Sequence, residues 1–177
     1  MKKTLSIILI LSIFINFFSC ERDDICVDGD TPFLIVGFFD IDDTTNFKEV
    51  NSLRVRSIDN NSIVQDAFIS FGFSDRSNVT DSIFLPLQID NSSTSFEFIL
   101  NSEDNDSTML EIGIIDTLTF SYDVGEQFVS RGCGFVANYN NLDTIRNPSS
   151  QDWIRRIVIL EENVVNNPTA IHVKILH

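Results

Sequence analysis

The chain has 177 residues, 43% hydrophobic and 21% charged, which excludes a chain disordered by composition and suits one domain with a real core. Its formal charge is −14. A surface this acidic repels phosphate backbones and anionic headgroups, so neither a nucleic-acid partner nor attachment by a polybasic patch is expected.

The first elements are a leader and a tether. Lys2 and Lys3 precede an apolar run from Leu5 to Phe18, broken only by Ser6, Ser12 and Asn16, and Ser19-Cys20 follows. A positive start, an apolar run and a small residue are the parts of a secretory signal. The run falls short of the roughly 20 residues that a membrane span needs. Phe17-Phe18-Ser19-Cys20 resembles the bacterial lipoprotein signal, with Phe17 where that signal usually has Leu. The resemblance implies a signal peptide over residues 1–19, cleavage before Cys20, and a diacylglycerol and an acyl chain on Cys20. Two or more chains anchor stably, at about 0.8 kcal/mol per buried methylene. The other readings are an ordinary cleaved signal with Cys20 in a disulfide, or an uncleaved anchor helix. Loss of Lys2 and Lys3 takes the mature charge to about −16. Glu21-Arg22-Asp23-Asp24 resembles the charged motifs that send some Bacteroidota lipoproteins to the cell surface, and reads equally as a solvated tether within residues 20–32.

With Cys20 acylated, Cys26 and Cys133 remain, and an oxidising exported compartment should pair them. That bridge closes a loop of about 107 residues, worth about 4–5 kcal/mol in the chain-entropy account. It would also fasten the tether to the middle of the domain. Cys133 as a nucleophile would need an imidazole from His172 or His177.

From Phe33 onward, short apolar or alternating segments are separated by turn residues. Phe33–Phe39 reads as a buried strand ended by Asp40–Asp43. Leu53–Ile58 alternates, with Leu53 and Val55 inward and Arg54 and Arg56 outward. Asp59–Asn61 reads as a turn, Ala67–Phe73 as a strand and Ser74–Asn78 as a loop. Ser82–Leu87 contains Pro86, which lacks an N–H and places that strand at an edge or a bend. Thr94–Leu100 alternates, with Phe96, Phe98 and Leu100 on one face. Asn101–Ser107 reads as an acidic loop and Met109–Ile115 is ambiguous. Asp116–Tyr122 sets Leu118, Phe120 and Tyr122 on one side. A turn at Asp123–Glu126, a strand at Phe128–Tyr139, a long loop at Asn140–Gln151, and last strands at Trp153–Leu160 and Ala170–Leu176 complete the chain. About nine short strands without a sustained helical pattern predict an all-β fold: an antiparallel β-sandwich, immunoglobulin-like or similar, over residues 33–177.

The segments Cys20–Cys26, Asp81–Leu87, Asp116–Tyr122 and Val129–Phe135 together resemble an uncharacterised family of Bacteroidota lipoproteins, a domain of unknown function. The Cys26 and Cys133 contexts carry most of that resemblance. It implies an outer-membrane lipoprotein of the cell envelope, facing the periplasm or the surface, and it implies no activity.

The acidic clusters Asp28–Asp30, Asp40–Asp43 and Glu103–Asp106 lack the spacing of a calcium loop, so they read as solvated turns. No catalytic motif, metal pattern or cofactor fingerprint is present. His172 is out of phase with Ile171 and Val173 and is expected to face solvent or a loop. A sugar platform would need Trp153, Tyr122 or Tyr139, of which Trp153 is expected in the core. Arg131 is expected to serve the structure beside Cys133. The function expected is that of a non-catalytic accessory or interaction module, held to the membrane by its N-terminal lipid and partnered by an envelope protein. The alternative is a surface glycan- or small-ligand-binding lipoprotein.

Overall fold

A computed structural model describes residues 31–58, 76–108, 110–147, 152–165 and 170–177. The leader, Cys20, Cys26, the cluster Asp28–Asp30, the turn Asp59–Asn61 and the strand Ala67–Phe73 lie outside the described residues. The chain divides into two units. One is a body within residues 30–127 and 136–177; the described part of the other is Phe128–Phe135.

The described residues form nine strands and no helix: β1 (Leu34–Phe39), β2 (Val50–Ser57), β3 (Ser77–Val79), β4 (Ser82–Leu85), β5 (Ser93–Asp104), β6 (Glu111–Ser130), β7 (Gly134–Asn147), β8 (Arg156–Ile159) and β9 (Val173–Leu176). They build two sheets, ordered β4-β1-β9-β8 and β3-β2-β5-β6-β7, packed as a sandwich. The all-β sandwich expected from the sequence is therefore present. One pairing departs from a purely antiparallel plan: β1 and β9 run parallel, with Val36 opposite Val173 and Phe39 opposite Leu176. β4 pairs antiparallel with the other side of β1, lies at the sheet edge, and ends at Leu85, just before Pro86.

Alternation explains the core. Leu53 and Val55 of β2, Phe96 and Phe98 of β5, and Leu118, Phe120 and Tyr122 of β6 point inward. They meet Leu34, Val36 and Phe38 of β1, Ile83 and Leu85 of β4, and Val173 and Ile175 of β9. Every residue of β1 is buried, because its outer face is covered as well: Phe47 stacks 4.5 Å from Phe39, and the Lys174 ammonium lies 4.0 Å from the centre of the Phe39 ring.

Several expected breaks are bulges in long strands instead. β5 continues through Asn101 (φ 51°) to Asp104, with the register shifting between Leu100 and Glu103. β6 absorbs both the ambiguous Met109–Ile115 region, from Glu111, and the expected turn at Asp123–Glu126. At Gly113 (φ 155°) a Cβ would lie 2.6 Å from the Ile99 side chain, so only glycine fits there. β7 runs through Asn141 (φ 53°) into the stretch expected as a loop. β3 lies partly within the expected loop Ser74–Asn78.

A buried polar joint links the connector before β8 to the larger sheet. Asp116, fully buried on β6, accepts hydrogen bonds from the Trp153 N–H (2.9 Å) and the Ile154 N–H (2.8 Å) through one oxygen. Trp153 stacks on Phe38 and donates its indole N–H to the Phe98 carbonyl at 3.1 Å. Burial raises the Asp116 carboxyl above its ordinary value, the two N–H donors oppose the rise, and Asp152, within hydrogen-bonding reach, adds to it. Arg146 lies 3.2 Å from Asp152.

Two substitutions test this joint. Asp116→Ala leaves two buried N–H groups without an acceptor and should cost about 2–4 kcal/mol. Asp116→Asn keeps the acceptor and offers an N–H to Asp152. Because the folded carboxyl is raised, its stabilisation is complete below the ordinary carboxylate range and is lost as pH rises through the folded value. The thermal midpoint of Asp116→Asn should therefore gain on wild type as pH rises above the ordinary carboxylate value of 3.8; a constant difference would refute the raised carboxyl.

Candidate functional site

Cys133, the described member of the expected cysteine pair, sits in the hairpin tip. It is disulfide-bonded, and its partner lies outside the described residues. Its N–H bonds to the Ser130 hydroxyl at 3.1 Å, which shapes the turn between β6 and β7. The rings of Phe128 and Phe135 meet edge to face at 5.4 Å, and both side chains are exposed. Arg131 is exposed at the turn.

The histidine considered as a base is structural. His172 is 1% exposed, which corrects the expectation of a solvent-facing position. Its Nδ1 accepts the Ile35 N–H at 2.9 Å, while its own N–H bonds to the Ile35 carbonyl at 2.9 Å. The side chain thus adds a rung to the β1–β9 ladder, for which strand phase gave no signal. Burial lowers the His172 pKa, partly offset by Glu161. His177 packs edge-on against Phe38 and Trp153 and is also lowered by burial.

The three large aromatics considered as a sugar platform are all buried. Their polar atoms go to backbone: Trp153 to Phe98, Tyr139 to the Leu87 carbonyl (3.0 Å) and Tyr122 to the Gln88 carbonyl (2.9 Å). Burial pushes the Tyr139 phenol up to about 12, so it remains a donor at neutral pH. The two tyrosines hold the connector after β4, which helps to line a groove of about 470 Å³ formed by Thr31–Phe33 and Pro86–Asn91. Phe33, Leu87 and Ile89 make its surface largely apolar. Sequence reading missed this groove, because the tyrosines that fix it look like ordinary core residues.

Two groups of charged side chains are matched within themselves. On the outward positions of β2, β5 and β6, Glu111 lies 3.1 Å from Arg54, 3.5 Å from Arg56 and 3.8 Å from Arg76. Glu97 and Asp104 pair with Arg56 and Arg76. Three guanidiniums are thus matched by three carboxylates. In the turn after β1, the Asp42 N–H and the Lys48 ammonium hold the Asp40 pKa low. Asp43 accepts from the Thr45 hydroxyl and N–H and is lowered by them. Both carboxylates serve the turn, and no group of three or more potential metal ligands occurs among the described residues.

Residues 52–177 match a family of unknown function, DUF6452, and the chain belongs to that family. No curated protein and no solved structure matches the chain.

The His172 bond gives a pH dependence with a definite sign. A neutral ring is required at Nδ1, and the folded pKa is depressed. Its stabilisation is present above the ordinary value of 6.5 and is lost as pH falls from there through the folded value. His177 acts in the same direction. The thermal midpoint should fall on acidification below 6.5, and His172→Gln, which can accept without titrating, should reduce that slope but leave the His177 share.

Proposed function

We propose that this member of the family is a lipid-anchored protein of the cell envelope, held by Cys20 in an outer membrane and acting as a non-catalytic accessory or interaction module. The observation that carries this reading is the disulfide at Cys133. A structural disulfide fits an exported, oxidising compartment, which is where the leader and Cys20 would send the chain. Cys26 is the partner on this reading, because Cys20 is acylated. The bonding of the other reactive groups supports a non-catalytic role. Cys133 has no thiol to offer, His172 spends its ring nitrogen on the backbone, and the partly buried arginines are matched by acids.

The second reading is a surface lipoprotein that binds a glycan or small ligand. The groove at Phe33 and Ile89 favours a small apolar ligand within that reading, since all three large aromatics that could stack on a sugar are buried.

Intact mass of the protein extracted from membranes should show the diacylglyceryl and acyl groups on Cys20. Reduction should add the mass of two hydrogens. An unacylated mature chain would refute the anchor, and an unchanged mass on reduction would refute the disulfide. Crosslinking in cells should recover an envelope protein with the chain. Recovery only as a monomer, together with a thermal shift on adding a small apolar ligand, would favour the groove reading instead.

A further inference from the structure

We propose that the hairpin tip Phe128–Phe135 docks into the lipid surface beside the anchor, so that the protein holds its membrane at two points. This rests on the lipid-anchored reading above. Three observations converge on the tip. First, Phe128 and Phe135 are 56% and 67% exposed while their rings contact each other, so the tip presents a joined aromatic pair to its surroundings. Exposed Phe side chains bury their apolar surface at the boundary between headgroups and acyl chains. Second, the chain has 26 acidic residues, yet none occurs from Gln127 to Leu142, and the one charge in that stretch is Arg131. A body of strong negative charge would be repelled by an anionic lipid surface; this segment would not be. Arg131 at the turn can keep its guanidinium at the phosphates while its stem follows the apolar side.

Third, the covalent framework limits what the tip can reach. Cys133 is disulfide-bonded, and the chain's other cysteines are Cys20 and Cys26. With Cys20 acylated, the bridge goes to Cys26. The tether between those two residues spans at most about 20 Å. The tip is then confined to the neighbourhood of the bilayer, and the surface within its reach at all times is lipid. A protein partner would have to compete for a patch already beside the membrane.

The test places a reporter at the tip. The acylated mature protein is reconstituted into phosphatidylcholine vesicles containing lipids brominated near the carbonyl end of their chains. Phe128→Trp and Phe135→Trp are compared with Leu160→Trp, another exposed apolar position, 47% exposed and in the body. The buried Trp153 gives a common background. Emission at positions 128 and 135 should shift to the blue and be quenched by the brominated lipids, while position 160 should change in neither respect. Unquenched emission at both tip positions in acylated, vesicle-bound protein overturns the proposal. If mass analysis shows no acylation, the anchor reading fails. The tip is then tested on the unacylated mature protein, its cysteines unchanged, held to nickel-chelating vesicles by an N-terminal His tag. Quenching at 128 and 135 there supports membrane docking of the tip, and its absence overturns it.

Discussion

The parallel pairing of β1 with β9 is the constraint on which the body of this protein depends. β1 is buried at every position, so it needs a partner along each edge and cover on each face. β4 supplies one edge and β9 the other. A parallel neighbour requires a crossover, and here the crossover is nearly the whole body, from Phe39 to Val173. The pairing is extended at both ends. His172 and Ile35 exchange two bonds before the ladder begins. Beyond it, the His177 N–H bonds to the Phe39 carbonyl, and the His177 carbonyl accepts from the Ile41 N–H and the Lys48 ammonium. Close packing follows from the same arrangement: a Cβ at Gly37 would lie 2.8 Å from the Phe39 ring and 3.0 Å from Ile171.

The connectors pose the complementary problem. A buried segment outside a ladder must still satisfy its N–H and C=O groups. Side chains from the larger sheet do this. Asp116 takes the N–H groups of Trp153 and Ile154; Tyr139 and Tyr122 donate to the carbonyls of Leu87 and Gln88. The chain has 16 Phe and only 2 Tyr, and both tyrosine hydroxyls serve the one connector after β4. A phenylalanine at either place would fill similar space and leave a carbonyl without that donor. Asp116 and both tyrosines are thus fixed by backbone that is not in a strand, and that duty occupies aromatic residues a sequence reading would first suspect of binding.

Where β-structure is governed by alternation, it was legible in the sequence. Leu53, Val55, Phe96, Phe98, Leu118, Phe120 and Tyr122 occupy the inward positions that the period of two assigns them. Strand ends were less legible, because Asn101, Gly113 and Asn141 adopt positive φ within strands. The same residues that end a strand at a turn permit a bulge in a longer one, and only the partner strand decides between the two. Asp116 is an intermediate case. It stands in phase with Leu118 and Phe120, which placed it on the inward face, but an acid before an alternating run reads first as a strand entry. His172 carried no signal, since its position depends on Ile35, 137 residues away.

The candidate site divides along the same line. Cys133 was legible because cysteine chemistry is strong enough to be read without a fold, whereas the groove beside Phe33 depends on tyrosine hydroxyls whose targets no local pattern reveals. The proposed anchor and bridge then give the hairpin a mechanical purpose. A strand as long as β6 carries its residues past the register it needs for β5, whose pairing with β6 ends at Ser93 opposite Ser121. Beyond Tyr122 no residue of β6 is buried, and the apolar side chains of Val124 and Phe128 are exposed. Length and exposed apolar surface together would be a liability on a protein that diffuses freely. On a chain held within about 20 Å of a bilayer by Cys20 and Cys26, the same hairpin has an apolar phase beside it. Attachment at a second point would then restrict the body's rotation on its anchor and present one constant face to an envelope partner.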